Sequence, residues 1–398
     1  MQHRAGWTML NPGPCEESLR KNSFRTQLEV SIMLMRSVPL AAIVAALAVA
    51  VQPLVAQLPA PAATAGPAGF ERLRKIDVHS HVYEDLPVVN DMLRRINLRI
   101  VNISNPGTDG HLEFMHQFNA ALVKRHPDLF SFASTFDLTT RDQPGYGTRI
   151  AKALDETFAQ GAVMLKIWKE VGLELKKPDG SFLLSDDALL DPVYAHLALR
   201  RKPLLAHLAE PREAWLPLDP KGVHYGYYSR NPQWHLFGKP EFPSHARLMD
   251  ARDHILAKHP SLVMIGAHIG SLEYDVDEVA KRLDKYPNFH VEVSARTRDL
   301  TRQPSSKVRA FFLKFQDRIM YGVDRSWRPY RTPDVKPTDA DRTRFAGDLE
   351  AQYRRDWAYY AGRSSIDYSG ETVEALALPQ EVLEKFYSKN AERIIGVR

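Results

Sequence analysis

From Ile76 onward the chain alternates between short apolar, β-branched runs and longer amphipathic stretches. The runs Ile76 to Val82, Leu98 to Ser104, Phe130 to Phe136, Ala162 to Trp168, Pro203 to His207, Leu262 to His268, His290 to Ser294 and Ile319 to Asp324 read as eight strands. Most are apolar almost without a break, the pattern of parallel strands buried on both faces, so the stretches between them are predicted to be right-handed helical crossovers. Three junctions, Arg125-His126-Pro127, Lys258-His259-Pro260 and Lys285-Tyr286-Pro287, place a basic residue at a helix end and a proline just beyond it. Proline cannot continue a helix, and the cation suits the helix's negative end. Eight βα units over about 250 residues predict an α/β fold of the (β/α)8 TIM-barrel type. The alternative, an open doubly wound sheet, lacks the glycine-rich phosphate loop expected after its first strand.

Two segments exceed eight simple units. A long loop insertion after strand 5, ahead of the helix beginning near Ser244, carries Trp215, Tyr225, Tyr227, Tyr228, Trp234, Phe237 and Phe242. A long βα loop lies on the catalytic face of a barrel, so this one is predicted to be a lid or substrate wall; the plainer alternative is a hydrophobic cluster that merely covers the barrel. A C-terminal helical extension, Arg325 to about Leu378, has a charged helical stretch around Leu349 to Tyr360 and packs outside the barrel or serves a homodimer interface.

The N-terminus follows other rules. Basic Arg36, apolar Val38 to Val51 and then Leu54-Val55-Ala56 have the layout of a secretory signal with a small-residue cleavage site near Ala56. A secreted or periplasmic protein is expected, with no membrane span in the mature chain, since a span needs about 20 apolar residues; an uncleaved anchor is the alternative. The polar stretch Met1 to Ile32 then points to a translation start at Met33 or Met35. Residues 1–56 are thus an extension plus signal, 57–70 an alanine- and proline-rich spacer, and 71–398 the barrel.

Charge and cysteine content narrow the chemistry. The net charge of +5 comes from 53 basic and 48 acidic residues scattered without a basic block, which argues against a nucleic-acid partner. The only cysteine is Cys15, so the barrel has no internal disulfide and no thiolate metal ligand. What remains for a metal is imidazole, carboxylate and lysine.

Strand ends in a barrel meet at one mouth even when far apart in sequence. His79 and His81 are two residues apart on the first strand, so they point to one side. Lys166 interrupts the fourth strand, while His207, His268 and Asp324 close the fifth, sixth and eighth. A lysine within Met164-Leu165-Lys166-Ile167-Trp168 needs a partner or a modification, because a free buried ammonium is costly. The set suits zinc, manganese or iron. His126, His196, His254 and His259 are read as ordinary surface or helix-end histidines.

The motifs Asp77-Val78-His79-Ser80-His81, Ala206-His207, Gly266-Ala267-His268-Ile269-Gly270, Tyr321-Gly322-Val323-Asp324 and Phe386-Tyr387-Ser388-Lys389-Asn390-Ala391-Glu392-Arg393-Ile394-Ile395 resemble the amidohydrolase superfamily. Within it they are most similar to the amidohydrolase-related branch, which includes decarboxylases of aromatic and muconate-type acids and some lactonases. The resemblance implies that His79, His81, His207 and Asp324 hold a divalent metal, zinc first, with His268 orienting the attacking water or substrate oxygen. It places Lys166 where two-metal members carry a carboxylated lysine. One ion is favoured, Lys166 then binding a substrate carboxylate or pairing with Glu210.

The expected reaction is hydrolysis of an amide, ester or lactone bond in a small, carboxylated substrate, with Asp324 and His268 catalytic and Trp168, Glu210 and Arg325 binding substrate. Arg212 and Arg328 are further cations expected at the mouth. Nonoxidative decarboxylation of an aromatic or unsaturated acid is the alternative, and a non-catalytic secreted metal- or solute-binding barrel a third. A barrel-type nuclease also begins with His-x-His, but the strand-end glutamate expected of one is not seen in this reading.

Overall fold

The computed structural model describes residues 69–105, 108 and 110–397. The predicted signal, its cleavage site, the alternative start positions and nearly all of the spacer lie outside these residues. Gly69 and Phe70 already belong to the packed body, where the Phe70 ring meets Trp357.

Strands β1 (Lys75–Val82), β2 (Leu98–Ile103), β3 (Phe130–Ser134), β4 (Ala162–Ile167), β5 (Leu204–Ala206), β6 (Met264–Gly266), β7 (Phe289–Glu292) and β8 (Ile319–Met320) pair in sequence order, every pair parallel. The ring closes beyond the last ladder pair. Val78 N–H donates to the Tyr321 carbonyl at 3.0 Å and Asp324 N–H to the His79 carbonyl at 2.6 Å, joining the end of β8 to β1. The fold is the predicted (β/α)8 barrel. A short β9 (Ser326–Trp327) continues this pairing along the same edge of β1, opposite β2.

The crossovers include α1 (Pro87–Arg95), α2 (Leu112–Arg125), α3 (Tyr146–Ala159), α4 (Asp191–Arg200), α5 (His245–Lys258), α6 (Val276–Lys285) and α7 (Ser305–Lys314). Helices α2, α5 and α6 end at the basic residues of the three predicted junctions. Strand alternation sorts the core into two layers. Ile76, Val78, Val101, Ile103, Ala133, Met164, Leu205, Ile265 and Met320 form an interior cluster, joined by Ala391, Ile395 and Val397 of the C-terminal segment. A larger cluster joins the outer faces of the strands to the helices.

Three details depart from expectation. Strands 5, 6 and 8 are shorter than predicted, because the chain leaves the ladder soon after Ala206, Gly266 and Met320. The C-terminal helix, α8 (Asp339–Ala361), runs 23 residues rather than starting near Leu349; Thr338 and Asp341 cap its start reciprocally. After it comes an antiparallel hairpin, β10 (Ser365–Tyr368) and β11 (Glu371–Glu374), whose polar, largely exposed residues lack the apolar pattern of the barrel strands. Among the described residues no helix is long and apolar enough to cross a membrane.

Candidate metal centre

The first strand brings His79 and His81 to the mouth by a route that alternation alone does not predict. Ile76 and Val78 belong to the barrel interior, whereas both histidines have the opposite parity. The pairing of β1 with β2 slips between Asp77 and Ser80, and such an irregularity turns the later residues across the sheet. The two imidazoles still share a side, as spaced. Asp77, fully buried, holds the turn: its carboxylate accepts from Ser80 Oγ at 2.6 Å, Tyr353 Oη at 2.8 Å, and the N–H groups of His79 at 3.0 Å and Val323 at 3.2 Å.

His79, His81 and Asp324 present ligand atoms all within 4.8 Å of one another. Asp324 Oδ1 lies 3.2 Å from His81 Nε2 and 3.7 Å from His79 Nε2, and Oδ2 lies 3.8 Å from His268 Nε2. The partners of the other ring nitrogens assign the tautomers. Nδ1–H of His81 donates to the Ile103 carbonyl at 2.9 Å, that of His268 to the Ser294 carbonyl at 2.8 Å, and that of His79 to Glu292 Oε1 at 2.9 Å. Each Nε2 therefore turns a lone pair inward. His268 Nε2 must accept, so His207 Nδ1 donates to it at 3.2 Å, leaving His207 Nε2 a buried atom with no protein partner.

Protonation follows the same logic. Burial pushes His81 down to about 3 and holds His207 and His268 well below the ordinary imidazole range. Burial works to raise Asp324, but the neighbouring imidazoles overcome it and keep the carboxyl well below its usual range. Imidazole lone pairs thus converge on a carboxylate, met by two donors among the named groups: Lys166 Nζ, 3.1 Å from His79 Nε2, and His207 Nδ1, 3.2 Å from His268 Nε2. Acceptors facing acceptors repel, and a cation removes the repulsion. The residues fit a divalent metal of the imidazole- and carboxylate-binding kind.

Not every predicted member stands where expected. His207 is outside the 4.8 Å group and reaches it through His268. Glu210 is buried beside Lys169, with which it forms an ion pair, and accepts from Tyr228 Oη at 3.1 Å; the expected pairing of Lys166 with Glu210 is replaced by this one. Lys166 is buried, and loss of hydration brings its ammonium down to about 8. Trp168 stands over the mouth, its ring 6.4 Å from His207 and 5.6 Å from Trp234 of the long loop. That loop forms a wall: Trp234 covers Lys169 Nζ at 3.6 Å, and Tyr227 Oη lies 3.4 Å from it. Arg325 lines a cavity with Asp324, and the charge of Arg328 acts on both His81 and Asp324. Arg212 instead stacks on Tyr274 at 4.6 Å, lining a different pocket, and is corrected from mouth cation to lid support. The histidines read as ordinary each pair with an aspartate: His126 with Asp85, His196 with Asp155, His254 with Asp186 and His259 with Asp191.

Three groups were missed in the sequence. Glu292, at the end of β7 and fully buried, is the strand-end glutamate that the reading passed over. Its Oε1 also accepts from His268 N–H at 2.9 Å and Ser294 Oγ at 2.8 Å, and Oε2 from Ser294 N–H at 2.6 Å, so it ties His79 to His268 rather than facing the ligand atoms. Burial works against the Glu292 charge, but His79 and these donors hold the carboxyl down at about 2. The signal was there: a lone carboxylate in His290-Val291-Glu292-Val293. Arg296, just beyond, lowers His207 and His268 by its charge, and Lys169 sits between Glu210 and the aromatic wall.

The sequence profile of the family described as Amidohydrolase matches residues 144–397. No curated protein matches the chain. Among solved structures, a TIM-barrel protein of Bordetella bronchiseptica is similar at 14% identity and a TM-score of 0.45, covering 81% of this chain and 99% of that one. A 5-carboxyvanillate decarboxylase of Sphingomonas paucimobilis is similar at 13% identity and a TM-score of 0.45, covering 82% and 100%. A 2,6-dihydroxybenzoate decarboxylase of Rhizobium is similar at 16% identity and a TM-score of 0.41, covering 71% and 99%.

Proposed function

Since the chain belongs to the amidohydrolase family, we propose that it is a metal-dependent hydrolase cleaving a C–N or C–O bond of a small, carboxylated substrate. The observation that carries this reading is the convergence of the His79 and His81 lone pairs on Asp324, a set that a divalent cation completes. One ion, zinc first, would be held by His79, His81 and Asp324, with the unpartnered Nε2 of His207 available as a further donor. Such a cation would supply Lewis acidity toward a water and a carbonyl.

The chain's own groups do the rest. Asp324, ionised and within reach of the inward imidazole face, accepts the proton lost by the attacking water. His268, fixed by the Ser294 carbonyl and Glu292, stabilises the developing oxyanion or passes the proton to the leaving group. Lys166 and Arg328 add positive charge for a substrate carboxylate, and Trp168 with Trp234 gives a flat apolar wall.

That wall beside cations supports a second reading, nonoxidative decarboxylation of an aromatic acid at the same site. A panel of lactones, dipeptides, N-acyl compounds and aromatic carboxylates, scored separately for CO2, decides between them. Hydrolysis without CO2 is expected, with metal and turnover lost together in His79→Ala; full turnover by metal-free protein would refute both readings.

A further inference from the structure

Beside Asp324, a cavity of about 300 Å³ opens between the β7 and β8 loops, helix α8 and the β10–β11 hairpin. Arg298, Arg325 and Arg355 line it, one from each of the first three of these elements. Three guanidiniums around so small a space call for compensating anions, and the lining carboxylates are committed elsewhere. Asp324 faces the imidazoles. Asp356 is buried and accepts from Tyr368 Oη at 2.6 Å, Tyr321 Oη at 2.9 Å and Gln352 Nε2 at 3.0 Å.

The arginines are correspondingly short of partners. Glu371, beyond the lining, lies 2.5 Å from Arg302 but 3.6 Å from Arg298. Arg355 gives one N–H to the neutral Gln352 side chain and rests on the Tyr368 ring at 5.3 Å. Among the described residues the Arg325 side chain makes no ion pair. The Nε atoms of Arg298 and Arg355 are buried with no protein acceptor, although buried donors are nearly always satisfied. A planar guanidinium matches a carboxylate through paired N–H donors. The cavity is not sealed, since the Arg298 side chain is 43% exposed.

We propose that this cavity is a binding site for the carboxylate of a small organic acid, separate from the imidazole cluster and independent of whether the reaction is hydrolysis or decarboxylation. Arg298 and Arg355 supply guanidinium N–H donors from the cavity lining, and Arg325 carries the charge nearest Asp324 in the chain. The test uses the full chain, stripped of metal, with phthalate as the probe in isothermal titration calorimetry. One saturable site is expected. Phthalate affinity should fall at least tenfold in the double variant Arg298→Gln/Arg355→Gln and at least fivefold in Arg325→Gln, which removes no side-chain hydrogen bond or ion pair among the described residues and so keeps the test open if the double variant fails to fold. In His79→Ala/His81→Ala, affinity should stay within threefold of the unaltered chain. No binding by the unaltered chain, equal affinity in the folded arginine variants, or loss confined to the histidine variant would each overturn the proposal, whatever becomes of the hydrolase reading.

Discussion

Glu292→Gln is the substitution that most directly tests how the candidate metal centre is held. The two side chains are nearly isosteric, so the change removes a charge and one acceptor without opening a cavity. In the native arrangement Oε1 takes three donors, from His79 Nδ1, His268 N and Ser294 Oγ, and Oε2 takes Ser294 N at 2.6 Å. An amide must place its NH2 at one of these positions. At Oε2 it meets the Ser294 N–H donor to donor; at Oε1 it meets three donors. The milder choice leaves one buried donor unsatisfied, at about 1–3 kcal/mol, and weakens the charge-assisted bond that orients His79. Partners that orient metal-binding histidines are worth about 10- to 100-fold in metal affinity. Zinc affinity, measured by competition with a chromophoric chelator, should therefore fall by about 10- to 100-fold, and the metal-free variant should unfold a few degrees earlier. Zinc affinity within threefold of the unaltered chain, with unchanged unfolding, would refute the idea that Glu292 governs the orientation of His79.

Two further outcomes are expected. Asp324→Asn should retain zinc, because His79, His81 and His207 remain, while kcat falls by about 10²- to 10⁴-fold in steady-state assays on whichever panel compound is turned over; an unchanged kcat would remove Asp324 from proton transfer. The metal-free chain should lose stability as pH falls below about 6.5: unfolded imidazoles then take up protons that buried His81, held down to about 3, and likewise lowered His207 and His268, refuse. The slope is about 1.4 kcal/mol per pH unit for each such group, Glu292 adds loss of the same sign between about 4.5 and 2, and urea midpoints that stay flat from pH 8 to 5 would contradict this.

The barrel was legible because its strands are buried on both faces, which forces nearly unbroken apolar runs, and because prolines mark several helix ends. The polar β10–β11 hairpin has no such constraint and went unread. His79, His81, Lys166, His268 and Asp324 were legible as polar interruptions of apolar runs at the barrel's mouth, and they do come together. Glu292 obeys the same rule, but a carboxylate that orients His79 and His268 from behind has the same sequence pattern as one that touches a metal, so its role is set only by the fold. Which lysine pairs with Glu210 could not be read at all. Lys166 and Lys169 are three residues apart, and the choice depends on how the chain turns after β4 and on where Trp234 lands.

What the sequence hides most completely is the backbone at the mouth. His268, Ile269, Gly270 and Ser271 all have φ between 57° and 64°, and Ala295 and Asp324 have φ of 55° and 56°. A left-handed conformation costs a non-glycine residue roughly 1–2 kcal/mol, and for β-branched Ile269 no local preference favours it. The cost is met by fixed neighbours. Buried Arg252 donates to the Gly270 carbonyl at 2.6 Å, His245 to the Ser271 carbonyl at 2.8 Å, and Ser271 Oγ to the Ala209 carbonyl at 3.0 Å. Gly266 leaves room for the turn, since a Cβ there would lie 2.8 Å from both Gly270 Cα and the Phe289 ring. The strain falls where β6 and β8 deliver His268 and Asp324, the two groups assigned to proton handling. An extended strand would carry each side chain onward along its own axis, whereas a left-handed turn swings it back across the barrel mouth toward the other. At β6 and β8 the short strand and the strained residues are therefore one feature: the ladder stops early so that the backbone can turn these two side chains onto a common point.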